Sequence, residues 1–176
     1  LFYNTVHFRM EKKILSELLL IFSNVEMPKG FEIDQDKLMA DTIESSLTNK
    51  EFPFSKTWDM LNIYIREHIG VEYKIQLSNK KSWSDTYKPD TLSKPLLNIN
   101  QSDLGNSPDF TTLYGTKVNN CWIKIYYDDN RRKGKSWDIE LKENMFIMFP
   151  SNNIYTISNK QKDSLNFIQT ITYNYL

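Results

Sequence analysis

The chain has 176 residues, of which 40% are hydrophobic and 14% aromatic, enough to form one domain around a core. Its 22 lysines and arginines balance 22 aspartates and glutamates, so no whole-protein field attracts nucleic acid or an anionic membrane. The single cysteine, Cys121, cannot form an intramolecular disulfide, which fits a reducing compartment. The longest apolar stretch, Leu18 to Phe22, is far shorter than the roughly 20 residues that cross a bilayer. We expect a single cytoplasmic domain over residues 1–176, with no membrane partner.

Helical spacing of apolar residues marks three segments early in the chain. The first is Glu11 to Asn24. The second is Asp34 to Leu47, in which Asp34 can act as the N-cap. The third is Ser55 to His68, and Gly70 is placed to stop it. The apolar stripes of the second and third segments contain Leu38, Met39, Thr42, Ile43 and Leu47, and Trp58, Leu61, Ile65 and Ile69. We predict about three helices, which make residues 1–70 a helical buttress.

The apolar period then changes to that of a sheet. Val71 to Leu77 alternates as a strand does, whereas residues 79–109 are polar and interrupted by prolines. Six further runs are typical of strands, namely Phe110–Val118, Cys121–Tyr127, Trp137–Leu141, Met145–Phe149, Ile154–Ser158 and Leu165–Tyr175. Short strands separated by turn residues indicate a sandwich or barrel. The sequence therefore predicts an α+β fold, mainly β, with the β part over residues 71–176.

A charged loop lies between two aromatic strands. Asp128 to Lys135 joins the runs that contain Trp122 and Trp137, so we interpret it as a hairpin loop. Basic residues beside aromatic ones can bind phosphate and stack bases. The two aspartates partly neutralise the loop, and a solvated hairpin with cross-strand pairs is the simpler interpretation. We therefore expect no nucleic-acid partner.

Histidines are scarce, since only His7 and His68 occur. Two distant histidines and one cysteine are too few for an ordinary zinc site. Spacing alone does not build a catalytic triad either, because triads assemble in space. For His68 we expect a structural or surface role near the end of a helix.

Two asparagines form a further candidate site. Alternation puts Asn98 and Asn100 on one face of an extended segment, and Asp103 follows them. Side chains at i and i+2 can present two ligands to one ion. Amide oxygens are neutral ligands that suit hard cations better than iron. An ordinary loop is the alternative.

Three stretches resemble a known family. They are Asp103 to Asp109, Tyr126 to Asp129, and the strand Phe146 to Ser151 that ends in Phe-Pro-Ser. Together they resemble small 2-oxoglutarate/Fe(II)-dependent oxygenase-like proteins of phages and marine bacteria. The resemblance implies a double-stranded β-helix, or jelly roll, with about three N-terminal helices packed on one sheet.

The resemblance also implies where an iron site would lie. The family binds iron through two histidines and one carboxylate. The distal histidine falls at Tyr155, and the other two ligands fall just before Asp103, where Asn98 and Asn100 stand. Every matched ligand position therefore departs from the pattern, and a standard iron site is not expected.

The basic residue that holds 2-oxoglutarate in the family is also missing. It falls near Asp163 or Ser164, and no arginine occurs after Arg132. Lys160 or Lys162 could bind a carboxylate, but only as a point charge.

Three hypotheses follow from this pattern. The first is an oxygenase-like jelly roll without a cofactor, which binds a small polar ligand or peptide in a relic pocket. The pocket residues would be Asn98, Asn100, Asp103, Tyr155, Lys160 and Lys162. The second is an active enzyme that uses Fe(II) and 2-oxoglutarate through non-standard ligands such as Asp103, Asp109 and a tyrosinate. The third is a structural or virion-associated jelly roll that forms a homo-oligomer.

Overall fold

The computed structural model of the protein describes residues 19–48, 56–127 and 135–176. These residues form two helices, nine strands and one short 3-10 turn. The helices are α1 (Gln35–Thr48) and α2 (Lys56–Tyr73), and the turn is Leu104–Asn106. The strands are β1 (Ile21–Asn24), β2 (Leu77–Tyr87), β3 (Thr91–Leu92), β4 (Phe110–Lys117), β5 (Cys121–Tyr127), β6 (Lys135–Leu141), β7 (Met145–Pro150), β8 (Ile154–Asn159) and β9 (Asn166–Tyr175).

The strands form two antiparallel sheets. One has five strands in the order β1-β7-β4-β9-β2, and the other has four in the order β3-β8-β5-β6. From β2 to β9 the chain passes repeatedly between the two sheets, which is the arrangement of a jelly roll. The prediction of a mainly β, antiparallel jelly roll is confirmed. The predicted count of about three helices is too high for the described residues, which contain two.

The five-stranded sheet has an apolar core on each face. Its inner face meets the four-stranded sheet, and its outer face carries both helices. The core between the sheets includes Leu113, Ile123, Ile147, Phe149, Tyr155, Ile157 and Ile168. The core beneath the helices includes Leu38, Trp58, Leu61, Ile65, Ile69, Phe146, Ile171 and Tyr173. The packing of helices on one sheet therefore leaves the opposite face of that sheet to enclose the barrel interior.

Helix α1 forms where predicted, and Leu38 and Thr42 of the predicted stripe are buried, but the rest of its buried face differs. Its N-cap is confirmed, because the Asp34 carboxylate accepts the backbone N–H of Lys37 at 2.9 Å. Of the predicted stripe, Ile43 is 40% exposed and Leu47 is 79% exposed. In place of Ile43 and Leu47, the helix buries Asp41 and Ser45, and the Ser45 hydroxyl accepts the backbone N–H of Ser84 on β2.

Helix α2 is longer than predicted. The stripe of Trp58, Ile65 and Ile69 is buried as expected. Gly70 does not stop the helix, which continues to Tyr73 and ends where Lys74 adopts the left-handed conformation with φ of 56°. The predicted strand Val71–Leu77 is therefore wrong except at its last residue, because α2 continues to Tyr73 and β2 begins only at Leu77. In the described parts of the chain, neither helix is long and apolar enough to span a membrane.

The end of the first predicted helix is a strand. Residues 11–18 lie outside the described ranges, but Ile21–Asn24 forms β1 and pairs with β7. Ile21 opposes Met148 and is buried in the core. Hydrogen bonds to the sheet edge and this burial override the local helical spacing, so the helix prediction is wrong here.

The longest strand lies in a region predicted to be irregular. β2 (Leu77–Tyr87) has 11 residues and pairs with β9 along its length, so that prediction is wrong for residues 79–87. Its sequence is polar because alternate side chains face either helix α1 or the barrel interior. Ser84 meets the helix, whereas Trp83 and Asp85 point to the interior.

The six later strands are confirmed, with bounds that shift by at most two residues. β5 and β6 pair directly through Tyr127 and Lys135, as expected of a hairpin. Residues 128–134 of the charged loop lie outside the described ranges.

Candidate ligand-binding site at the end of the barrel

Tyr155 stands at the end of the barrel where β8 begins. Its backbone exchanges two hydrogen bonds with Leu96, with N–O distances of 2.8 and 3.1 Å. Its side chain points between the sheets, is 3% exposed, and contacts Phe149 with ring centroids 5.1 Å apart. The residue at the predicted distal ligand position is therefore an interior side chain that packs against Phe149.

A polar network joins Tyr155 to Asn98. The Asn98 amide nitrogen donates to the Tyr155 hydroxyl and to Thr111 Oγ1, both at 3.1 Å. Thr111 in turn shares a 2.8 Å hydrogen bond with the Ser151 hydroxyl. Burial raises the pKa of Tyr155, and the hydrogen bond from Asn98 opposes that rise only in part. Tyr155 therefore stays a neutral phenol, and both amide hydrogens of Asn98 are engaged.

A cavity of about 290 Å³ opens beside this network. We name it the asparagine–lysine cavity. It is lined by Lys80, Lys81, Trp83, Asn98, Asn100, Asn106, Ser107, Pro108 and Thr172. Asn98 and Asn100 both line it, as their alternation predicts, whereas Ile99 lines a separate cavity of about 490 Å³. None of the described lining residues is acidic, and two of them are lysines.

The wall of the cavity is supported by a carboxylate that sequence reasoning missed. Trp83 Nε1 donates to Asp85 Oδ2 at 3.0 Å. Burial raises the pKa of Asp85, and the hydrogen bond from Trp83 opposes that rise. The alternation of Trp83, Asp85 and Tyr87 is the signal in the sequence, but it places these side chains on one face only if the segment is a strand.

Asn100 and Asp103 lie at the rim and do not contact Tyr155. The side-chain carbonyl Oδ1 of Asn100 accepts hydrogen bonds from the backbone N–H and the hydroxyl of Ser102, at 3.1 and 2.7 Å. Asp103 accepts from the Asn106 amide at 2.8 Å. Of the asparagine pair, only Asn98 therefore meets Tyr155.

Lys160 and Lys162 lie away from this site. The Lys160 ammonium sits 4.5 Å from the centre of the Trp122 ring, on the outer face of the four-stranded sheet. Lys162 is exposed in the turn that follows β8. Neither lysine lines the cavity beside Asn98 and Tyr155, so the structure does not bring the six predicted pocket residues together.

The remaining candidate metal ligands are also dispersed. His68 stacks on Tyr64 at 5.5 Å and lies 3.6 Å from Glu72 on the surface of α2. The Asp109 carboxylate accepts the backbone N–H of Tyr175 at 2.7 Å. Within the described ranges, no three histidine, cysteine, aspartate or glutamate side chains form a group that could hold a metal ion.

The donors at the matched positions do not fit Fe(II) of the facial-triad type. That site needs two imidazoles and a carboxylate. Here Asn98 presents its amide hydrogens to Tyr155 and Thr111, and Tyr155 presents a protonated phenol. Asp103 and Asp109 bind other partners, so the alternative set of two aspartates and a tyrosinate does not converge either.

Solved structures with the same architecture were found by comparison of folds. The chain is similar to a prolyl-4-hydroxylase from Pseudomonas putida, with a TM-score of 0.62, 11% identity, and coverage of 88% of this chain and 84% of that one. It is similar to the viral collagen prolyl hydroxylase of Paramecium Bursaria Chlorella virus-1, solved as a 2OG complex, with a TM-score of 0.60, 13% identity, and coverage of 88% and 94%. It is also similar to SnoN, a non-heme alpha ketoglutarate dependent epimerase from nogalamycin biosynthesis, with a TM-score of 0.62, 9% identity, and coverage of 88% and 76%.

These likenesses define the class of the fold. The chain is a jelly roll of the 2-oxoglutarate/Fe(II) oxygenase type, and the resemblance drawn from its sequence is confirmed at the level of fold. No protein-family model and no curated protein sequence matches the chain. At sequence identities of 9 to 13%, the similarity to these structures shows the architecture alone.

Proposed function

We propose that this protein is an oxygenase-like jelly roll that lacks the standard iron site and acts by binding a small polar ligand. The observation that carries the proposal is the hydrogen bond between Asn98 and Tyr155. These residues stand where the family resemblance puts two iron ligands. Instead of binding a metal, the Asn98 amide donates a hydrogen bond to the Tyr155 hydroxyl. The matched positions therefore contain an amide and a phenol, and neither supplies the histidine or carboxylate ligand that would bind Fe(II).

The asparagine–lysine cavity supports binding as the activity. It lies directly beside the network, at the end of the barrel, and combines polar groups with the indole of Trp83. Ligand sites in barrels occur preferentially at such mouths, with a few polar groups on a largely apolar wall. The Lys80 ammonium group donates to the backbone carbonyl of Asn106 and has further hydrogens for a ligand that carries negative charge.

The absence of an iron centre is tested by anaerobic titration of the purified chain with Fe(II), followed by assay with 2-oxoglutarate. We expect no stoichiometric Fe(II) binding and no succinate formation. One equivalent of tightly bound iron together with turnover of 2-oxoglutarate would overturn the proposal and favour an enzyme with non-standard ligands.

Ligand binding is tested by thermal denaturation against small carboxylates, phosphates, amines and neutral polyols. We expect anions to raise the melting temperature of the wild-type chain, because a ligand that binds only the folded state stabilises it. Lys80→Gln should remove most of that rise. Lys88→Gln is the matched control, since Lys88 is exposed and does not line the cavity. Equal responses of both variants would contradict the placement of the site.

The positional match is tested by restoring the ligands. The triple variant Asn98→His, Asn100→Asp, Tyr155→His recreates two imidazoles and one carboxylate at the matched positions. We expect it to bind one equivalent of Co(II) in calorimetry, whereas Tyr155→His alone does not. If the folded triple variant binds no metal, the three positions do not mark the former iron site.

A further inference from the structure

The cavity of about 490 Å³ that Ile99 lines has a mainly apolar wall, and we name it the Asp109 cavity. It lies where β4 begins and where β7 and β9 end, and it shares Ser107 and Pro108 with the asparagine–lysine cavity. Aliphatic side chains from three separate segments contribute to the wall, namely Leu19, Ile75, Ile99 and Leu104. A space of this size with such a wall suits the hydrocarbon part of a small molecule.

Asp109 gives this cavity a negative charge. Among the described residues it is the only charged one in the lining. Its carboxylate Oδ2 accepts the backbone N–H of Tyr175 at 2.7 Å, whereas Oδ1 has no partner in the described parts of the chain. A backbone N–H is an uncharged donor, so this bond leaves the carboxylate without a balancing cation. The cavity is therefore complementary to a ligand that carries a positive charge.

The protein also fixes the position of this carboxylate. The backbone N–H of Asp109 donates to the carbonyl of Tyr173, and its own carbonyl accepts the N–H of Ser151, both at 2.9 Å. These bonds and the one from Tyr175 join Asp109 to β9 and to the turn that follows β7. A group held in this way is ordered before a ligand arrives, which reduces the entropy cost of binding.

Uncharged groups in the lining also suit a cation. The rings of Phe110 and Tyr175 both line the cavity, with centroids 6.0 Å apart, and the faces of aromatic rings attract cations. The side chain of Asn152 lines it as well, and its amide oxygen can accept a hydrogen bond from an ammonium group.

From the apolar wall and the unbalanced carboxylate we propose that the Asp109 cavity is a second binding site, and that its ligand is a free aliphatic amine. The ammonium group donates to Oδ1 of Asp109, and the alkyl chain lies along Ile99 and Leu104. This site is separate from the asparagine–lysine cavity, and the inference does not depend on the function proposed for that cavity.

The test is an NMR titration of the whole isotope-labelled chain with hexylamine, hexanol, hexanoate and methylamine. Hexanol and hexanoate have an alkyl chain but no positive charge, whereas methylamine has the charge but lacks the chain. We expect hexylamine to bind about tenfold or more tightly than each of the other three, since only it satisfies both parts of the cavity. The backbone amide signal of Tyr175, which donates to Asp109, should be among those that shift most.

Two variants separate the contributions of charge and chain. Asp109→Asn should weaken hexylamine about tenfold, and it keeps a side-chain oxygen that can accept the Tyr175 N–H. Asp103→Asn is its control, because it removes a charge from the same loop at a residue that does not line the cavity. Leu104→Ala should weaken hexylamine but not methylamine. Its control is Leu92→Ala, since Leu92 is 68% exposed against 65% for Leu104 and lies outside the lining.

Each outcome supports or overturns the inference. Hexanol or hexanoate binding as tightly as hexylamine would remove the requirement for a cation. Hexylamine binding that is unchanged in both Asp109→Asn and Leu104→Ala, or that is lost in Lys80→Gln, would show that the amine binds elsewhere. Tighter binding of Nα-acetyl-lysine methylamide than of hexylamine would overturn the free amine as the occupant and favour a lysine of another protein. If hexylamine does not bind, the second site is wrong, whereas the proposed function is judged by the thermal screen and the variants of the asparagine–lysine cavity.

Discussion

Removal of the Tyr155 hydroxyl isolates the hydrogen bond that joins the two matched positions. In Tyr155→Phe the ring keeps its contact with Phe149, so no cavity beyond one oxygen atom is created. The Asn98 amide loses one acceptor and keeps Thr111 at 3.1 Å. One lost hydrogen bond of a buried hydroxyl costs about 1 kcal/mol of unfolding free energy. For a chain of this length, that lowers the melting temperature by about 2–4 °C.

The assay is urea unfolding of wild type, Tyr155→Phe, Asn98→Ala and the double variant, followed by circular dichroism. The network predicts a coupling energy of about 1 kcal/mol between the two substitutions, because each removes one partner of the same bond. Tyr126→Phe is the control, since Tyr126 is 42% exposed and its loss of hydroxyl should cost less than about 0.5 kcal/mol. Strictly additive effects, or a Tyr155→Phe variant as stable as wild type, would refute the network.

Three further predictions concern the scaffold. Burial raises the pKa of the Asp85 carboxyl above its ordinary value of 3.8. The contribution of this group to the free energy of unfolding is therefore complete below pH 3.8 and is lost as the pH rises through the folded-state pKa. Asp85→Asn should therefore gain stability relative to wild type as the pH rises above about 4, with exposed Asp163→Asn as the control; an unchanged difference contradicts the burial argument. Gly115→Ala should cost about 3 kcal/mol in urea unfolding, since a Cβ there would lie 2.4 Å from a backbone carbonyl oxygen; Gly105→Ala, with open space, is the control. Asp34→Ala should cost about 1 kcal/mol by loss of its N-cap bond, whereas Asp34→Asn retains most stability; equal losses would argue against the cap.

Interior carboxylates and edge strands were the least predictable features. β2 is polar because its side chains meet helix α1 on one face and the barrel interior on the other, so it lacks the apolar alternation of β4 or β5. Its partner is β9, and Ser84 opposes Gln169, 85 residues later. Asp85 was missed with the strand, although it supports Trp83 in the cavity wall.

The sequence by itself determined the helices and strands that have a local pattern of apolar residues. The buried stripe of α2 and the alternating strands from β4 to β9 follow from apolar spacing that each segment carries within itself. It also placed Asn98 and Asn100 on one face, and its family resemblance predicted the jelly roll. Only the tertiary structure decided that Ile21–Asn24 is a strand and that Asn98 meets Tyr155, 57 residues away. Such choices depend on hydrogen bonds and burial supplied by distant parts of the chain, which no local pattern records.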